Sequence, residues 1–215
     1  MIYALVADTS HIDQEEVFDA ELIEFDGFED VTFLDPGIDY QREQGAPQVI
    51  EFVGNLKNAA RLDHLFTAPR SLLLLSRRMV RVLEAVRPFR HRLIPTVIYP
   101  ERIEHLVRDR SSRRRTGHAV TESALKNEDF VILQLLDETP CLDRNRTLVD
   151  GVSFQKSGKS RLGREEASPL RLRPPAGGFP PVFAVPELTF YCFTEEARQA
   201  CEQAGLKGLW WRPQR

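Results

Sequence analysis

Two segments of the chain repeat one order of apolar and polar positions. In the first, residues 72–75 form an apolar run that predicts a buried strand, and Ser76 follows at a position that suits a helix N-cap. The next apolar residues recur at helical spacing: Met79, Val80, Leu83 and Val86. This spacing predicts a helix that ends by Arg87 and a further strand over residues 93–99, at a sheet edge or bulged because of Pro95.

The second segment lies near the C-terminus. Residues 189–193 predict a strand, Thr194 is a candidate N-cap, and Gly205 suits the left-handed position that closes a helix. The helix between them has two acidic residues in its first turn and a small apolar stripe: Glu195 and Glu196, then Ala197, Ala200, Cys201 and Ala204. A short strand over residues 209–211 follows. Strand, cap, helix, turn and strand thus occur twice, through duplication or through a shared supersecondary solution.

Weaker signals add strands without a regular strand–helix alternation. Strands are predicted over residues 1–7, 21–25, 31–33, 48–53, 129–136 and 148–154, and residues 55–66 show helical spacing. Residues 155–181 are rich in Pro, Gly, Ser and basic side chains, which indicates a long surface loop or linker. Together these elements predict an α+β fold with mixed and antiparallel sheets, two strand–helix–strand units and a long Pro/Gly-rich loop.

Length and composition limit the class of protein. A chain of 215 residues with 42% hydrophobic and 28% charged side chains is typical of a soluble globular protein. We predict an acidic, β-rich region over residues 1–66 and an α+β domain over residues 67–215, with one continuous domain as the alternative. No apolar run approaches the ~20 residues of a membrane span, and no secretory signal is evident, so a cytoplasmic location is expected. The three cysteines form no CxxC pair, which favours reduced thiols.

Charge is unevenly distributed along the chain. Residues 1–66 hold 15 acidic and 3 basic side chains, residues 67–118 hold 4 and 13, and residues 119–215 hold 13 of each. Such segregation can steer a charged partner, although acidic and basic segments that face each other in the fold would give the same pattern. The basic run over residues 108–115 is expected to be an exposed loop. It has no aromatic residue nearby for base stacking, so nucleic-acid binding is a weaker alternative.

The motifs that resemble catalytic or nucleotide-binding sites are incomplete. Residues 157–160 match the end of a phosphate-binding loop, but the glycine required five positions before Gly158 is replaced by Ser153. The five histidines are scattered, and no GxSxG motif is present, so no catalytic residue, metal or cofactor is predicted. A binding protein is therefore favoured. A small enzyme, whose site is assembled from residues distant in sequence, is the alternative.

Adjacent tryptophans at the C-terminus provide a candidate interface residue. Trp210 and Trp211 point to opposite faces of the predicted strand, so a sheet with one solvent-facing side leaves one indole exposed. Exposed tryptophan is a preferred anchor of protein interfaces. Trp211 is the partner-binding candidate on this basis.

Several segments resemble one protein family. Residues 72–84, followed by residues 93–98, are similar to the middle motif of the eleventh immunity family of bacterial polymorphic toxin systems. Residues 181–186 and the ending AGLKGLWW-x-P resemble the family's tail, and residues 130–135 with 142–144 resemble its strand and aspartate-containing turn. The resemblance covers roughly residue 68 to the end. It implies a cytoplasmic protein that binds and neutralises a cognate toxin, and it carries over no catalytic residues.

These observations lead to the hypothesis of an immunity protein that occludes its toxin. If the toxin is a nuclease with a basic groove, the acidic first third would mimic its polyanionic ligand and raise the association rate. The acidic candidates for partner binding are Asp13, Glu15, Glu16, Asp19, Glu29, Asp30 and Asp35. The expected partner is a protein toxin, not a membrane or a nucleic acid.

Overall fold

The chain forms an α+β fold of mixed and antiparallel sheets, as predicted. The computed structural model describes residues 1–7, 18–23, 34–39, 47–68, 72–100, 106–108, 115–117, 125–163 and 169–214. The strands are β1 (Ile2–Ala7), β2 (Ala20–Leu22), β3 (Ile50–Gly54), β4 (Thr67–Ala68), β5 (Leu74–Ser76), β6 (His91–Pro100), β7 (Leu106–Arg108), β8 (Arg115–Gly117), β9 (Phe130–Leu135), β10 (Leu148–Val149), β11 (Val152–Ser153), β12 (Val182–Ala184), β13 (Tyr191–Thr194) and β14 (Leu209–Gln214). The helices are α1 (Leu56–Ala59), α2 (Arg77–Val86), α3 (Phe154–Ser157) and α4 (Glu195–Gln203).

The large sheet has the strand order β4-β2-β3-β6-β9-β5. Residues 91–95 of β6 pair with antiparallel β9, and residues 96–100 pair with parallel β3 on the other side. Pro95 predicted an edge or a bulged strand, and the edge alternative is wrong, because β6 has neighbours on both sides. Pro95 is tolerated because it lies where the pairing passes from β9 to β3, so neither neighbour runs the full length of β6.

The small sheet is antiparallel and has the order β12-β13-β1-β14. Strand β1 comes from the start of the chain and lies between β13 and β14, which come from its end. Strands from before and after residue 66 also pair in the large sheet, where β2 contacts β4. Both sheets are thus built from both parts of the chain.

Three hydrophobic clusters cover the faces of the two sheets. The middle core lies between the sheets and contains Leu73, Leu75, Met79, Val80, Leu83, Val131, Leu133, Leu135, Val182, Ala184, Phe193, Ala197, Cys201 and Leu206. The third core lies on the other face of the small sheet and contains Cys141, Val149, Phe154, Leu162, Leu170, Phe183, Val185, Leu188 and Cys192. The first core lies on the other face of the large sheet. There Ile132 of β9 points away from the middle core and packs in the cluster around Phe52. Each sheet therefore buries both of its faces.

The two predicted strand–helix–strand units are present as β5–α2–β6 and β13–α4–β14. Ser76 caps α2 by accepting a hydrogen bond from the Met79 amide at 3.0 Å, and Thr194 caps α4 by accepting one from the Ala197 amide at 3.3 Å. Gly205 has φ +65°, which confirms its predicted left-handed conformation. Both helices direct their apolar faces into the middle core.

Two local predictions differ from the structure. The strand predicted over residues 148–154 is a tight hairpin of β10 and β11, because Asp150 and Gly151 both have positive φ and form its two-residue turn. The helical spacing over residues 55–66 gives only the short helix α1, which Asn55 caps. Elsewhere the predicted strands over residues 1–7, 48–53 and 129–136 are confirmed as β1, β3 and β9.

Parts of other predictions lie outside the described residues. These include residues 31–33, residues 24 and 25, and residues 164–168 of the predicted Pro/Gly-rich loop. The described flanks of that loop place Leu162 and Leu170 in the third core. Within the described residues, no helix is both long and apolar enough to cross a bilayer.

Candidate functional site

A buried carboxylate joins the two strand–helix–strand units. Asp63 is 5% exposed; its Oδ1 accepts a hydrogen bond from Ser76 Oγ at 2.7 Å, and its Oδ2 accepts one from the Lys207 amide at 2.9 Å. Arg78 Nη1 lies 3.7 Å from the same Oδ2, and its guanidinium also donates to the Ala204 carbonyl. These five residues are called the Asp63 junction. Two of the segments that carry the family resemblance, residues 72–84 and 204–213, therefore meet at one side chain.

The bonding of Ser76 shows what the Asp63 junction does chemically. The Ser76 hydroxyl donates a hydrogen bond to Asp63 and accepts one from the Met79 amide. Its single O–H is therefore used by the carboxylate, while its oxygen caps helix α2. Main-chain bonds add to the connection: the Asp63 amide donates to the Lys207 carbonyl at 2.8 Å, and the Ser76 amide donates to the Asp63 carbonyl at 2.9 Å. This arrangement fixes the start of β14 against the start of α2.

The exposed indole of the tail belongs to Trp210. Its side chain is 60% exposed on β14, whereas Trp211 packs edge-to-face on Phe193 with ring centroids 5.3 Å apart. Of the two indoles, Trp210 and not the predicted Trp211 is therefore the exposed one. The physical reason is the register, because Trp211 lies opposite Leu5 on the face of the small sheet that borders the middle core.

The acidic candidates are only partly described. Asp13, Glu15, Glu16, Glu29 and Asp30 lie outside the described residues.

Asp19 is buried and its carboxylate is hydrogen-bonded to two other segments of the chain. It is 2% exposed and accepts hydrogen bonds from Asn58 Nδ2 at 2.6 Å and from the Phe66 amide at 3.0 Å. Its assignment to partner binding is corrected for that reason, since a buried and internally bonded carboxylate has no surface to offer. Asp35 is half-buried, and its carbonyl accepts from Gln134 Nε2 at 3.2 Å.

Two ion pairs tie the loops that cover the third core. Arg173 Nε donates to Asp143 Oδ2 at 3.0 Å, and Arg144 donates to Glu187 Oε1 at 2.7 Å. The bond from Arg173 lowers the pKa of Asp143 below its ordinary value of 3.8. Asp143 also caps a turn, because its Oδ1 accepts a hydrogen bond from the Arg146 amide at 3.3 Å. The aspartate-containing turn thus has a structural role.

The three cysteines are free thiols, as predicted, and all are buried. Burial raises the pKa of Cys141 to about 11 and that of Cys201 to about 12, and it raises the pKa of Cys192 further. A thiol with such a pKa is protonated at neutral pH, so none of the three is an activated nucleophile. Among the described residues, no three His, Cys, Asp or Glu side chains are grouped so as to hold a metal ion.

The basic run over residues 108–115 begins and ends in the antiparallel pair of β7 and β8. Residues 109–114 between these strands lie outside the described residues. The alternative of a nucleic-acid module therefore stays a prediction.

A charged cluster fixes α4 against β1. Arg198 donates to Glu195 Oε1 at 2.6 Å and to Glu202 Oε1 at 2.5 Å, and its guanidinium lies 5.1 Å from the centroid of the Tyr3 ring. The bond from Arg198, with a further one from Tyr3, holds the pKa of Glu195 at about 2, against an ordinary value of 4.5. The ionised form of Glu195 is thus the one that stabilises the folded chain.

This shift predicts how stability depends on pH. Because the folded-state pKa of Glu195 is lowered, Glu195 makes its full contribution to the free energy of unfolding above the unfolded-state pKa of 4.5. This contribution is lost as pH falls toward the folded-state pKa of about 2. We expect the melting temperature of Glu195→Gln to lie below that of the parent chain at pH 6, with the difference shrinking toward zero near pH 2. Thermal unfolding across this range measures the difference, and two curves that stay parallel would contradict the assignment.

Comparison with known proteins adds no relative. No model of a protein family matches the chain, and no curated protein matches it. The resemblance to the immunity family thus stays a prediction from the motifs that carry it.

Proposed function

We propose that this chain is an immunity protein that binds a cognate toxin and neutralises it by occluding its surface. The observation that carries the proposal is the exposed indole of Trp210 on strand β14. The motif resemblance of residues 72–98 and 204–213 to the immunity family supports the same function.

The setting of Trp210 favours an interface role. A tryptophan buries 150–250 Å² of surface when a partner covers it, and indoles dominate the binding energy of many interfaces. Strand β14 is held by β1 along its length and by the Asp63 junction at its start. Because the backbone under Trp210 is already ordered, β14 loses little conformational entropy when a partner covers it.

The charge of the first third supports a role in encounter. Residues 1–66 carry a formal charge of −12, from 15 acidic and 3 basic side chains. A field of this sign attracts a basic partner surface and raises the association rate more than the final affinity. A toxin with a basic substrate groove is the class of partner that this charge favours.

The proposal is tested by using the protein as bait for the product of the adjacent gene and for a lysate of the native bacterium. Recovery of a stoichiometric toxin whose activity is lost on mixing is the expected result. A toxin from the adjacent gene that neither binds nor loses activity would refute the proposal.

The Trp210→Ala variant tests the anchor directly. We expect Kd for the toxin to rise about 30-fold or more, because truncation of an interface anchor removes about 2 kcal/mol of binding energy. The melting temperature should stay close to that of the parent chain, since the indole is 60% exposed. Leu125→Ala is the matched control, because Leu125 is 69% exposed at a distant part of the chain. Equal loss of affinity in both variants would remove Trp210 from the interface.

A further inference from the structure

The two edges of the small sheet differ in how they are covered. Beside β12, the Thr139 amide donates to the Ala184 carbonyl at 2.7 Å, and Glu138 forms a parallel bridge with the same residue. On the opposite edge, β14 pairs with β1 and with no other strand among the described residues. An uncovered edge strand presents a row of main-chain donors and acceptors to a partner.

The register fixes which backbone groups of β14 point outward. The Thr194 amide donates to the Pro181 carbonyl at 3.1 Å, so it points toward β12. Successive residues of a strand direct their main-chain groups to opposite sides, so Phe193 points toward β1 and bonds with its register partner Tyr3. Tyr3 therefore faces β13, and its neighbours Ile2 and Ala4 face β14.

The same alternation continues through β14. The residues that bond to β1 are the register partners of Ile2, Ala4 and Val6, namely Gln214, Arg212 and Trp210. The outward groups are then the N–H and C=O of Leu209 and Trp211 and the C=O of Pro213.

Pro213 supports this assignment independently. Proline lacks an N–H, and edge strands accept it where the missing donor faces away from the sheet. At an inward position it would remove a hydrogen bond to β1. Pro213 also limits the edge, because it offers an acceptor but no donor. The stretch open to a partner is therefore short, and its two donors are the amides of Leu209 and Trp211.

We propose that the toxin docks by adding an extended acidic segment to β14 as a fifth strand of the small sheet. This inference rests on the proposed function and specifies its binding mode. Charge indicates the occupant, because residues 207–215 carry Lys207, Arg212 and Arg215 and no acidic side chain. Trp210 projects from the face beside the added strand, where its indole covers the neighbouring side chains of that strand.

The position of β14 near the end of the chain permits a test that alters a single amide. Residues 1–200, prepared as a thioester, are ligated to a synthetic peptide of residues 201–215, because Cys201 supplies the thiol that the ligation needs. One ligated chain carries an N-methyl group on the Trp211 amide, and the control carries none. The methyl group removes an outward donor and blocks a strand from approaching, while the bonds between β14 and β1 are retained.

We expect N-methylation to raise Kd for the toxin about tenfold or more, with an unchanged melting temperature. Equal affinity of the two ligated chains would overturn strand addition while leaving the proposed function intact. Failure of the unmodified chain to bind the toxin would instead refute the proposed function. A dimer of the free protein that N-methylation dissociates would assign the edge to a second copy and likewise overturn the inference.

Hydrogen exchange on the unmodified chain provides a second readout that does not depend on how the methylated chain folds. The amides of Leu209 and Trp211 point away from β1 and should exchange at least tenfold more slowly in the toxin complex. The amide of Trp210, which bonds to β1, serves as the internal reference. Unchanged exchange at Leu209 and Trp211 in a saturated complex would rule out strand addition.

Discussion

Replacement of Asp63 by alanine should lower the free energy of unfolding by about 3–5 kcal/mol. The substitution leaves the Ser76 hydroxyl and the Lys207 amide without their acceptor in a buried site, and each unsatisfied group costs about 1–3 kcal/mol. Arg78 also loses the carboxylate that lies 3.7 Å from its guanidinium. Denaturant unfolding, followed by circular dichroism, measures the loss.

Two further variants give the Asp63→Ala result its meaning. Asp63→Asn keeps one acceptor oxygen but places an amide donor against the other partner, so its stability should fall between those of the parent chain and the alanine variant. Asp137→Ala removes an exposed carboxylate that pairs with Arg90, and it should change stability by less than about 1 kcal/mol. If Asp63→Ala is no more destabilising than Asp137→Ala, the Asp63 junction does not hold the two units together.

Gly208→Ala should destabilise the fold far more than Gly205→Ala. Both glycines have positive φ, at +79° and +65°, so both substitutions incur the left-handed penalty of about 1–2 kcal/mol. A Cβ at Gly205 meets no atom within 4 Å, whereas one at Gly208 would lie 2.6 Å from the His64 carbonyl oxygen. Because that oxygen belongs to the backbone beside Asp63, the two chain segments must move apart to relieve the clash.

We therefore expect a total loss of about 3–4 kcal/mol for Gly208→Ala, in the range of severe single substitutions. The difference between the two glycine variants isolates the close approach of the chain segments from the backbone conformation. Equal unfolding free energies for the two variants would show that the segments near Gly208 separate at no cost.

Features that depend on local chemistry could be predicted from the sequence. The caps Ser76 and Thr194 follow from hydroxyl side chains placed before an amphipathic stretch, and Gly205 follows from the end of that stretch. The Asp150–Gly151 turn was equally local. It was missed because residues 148–154 contain enough β-favouring side chains to resemble one strand.

Features that depend on distant pairing could not be predicted. Asp63 and Lys207 are 144 positions apart, and no periodicity links them. The adjacent tryptophans show the same limit, because alternation requires opposite faces but only the register against β1 decides which indole is exposed. In the sequence, nothing distinguishes Asp19 from the other acidic residues of the first third, and only the fold shows that it is buried.

The place of β1 between β13 and β14 also governs when the edge strand β14 can form. The partners of β1 lie at residues 191–214, so closing the small sheet requires a loop of nearly the whole chain. At a synthesis rate of about 5–20 residues per second, the first strand waits roughly ten seconds or longer for its partners. The large sheet draws its strands from residues 20–135 and is complete in sequence well before that. In a nascent chain the edge of β14 therefore forms only after residues 209–214 have emerged from the ribosome.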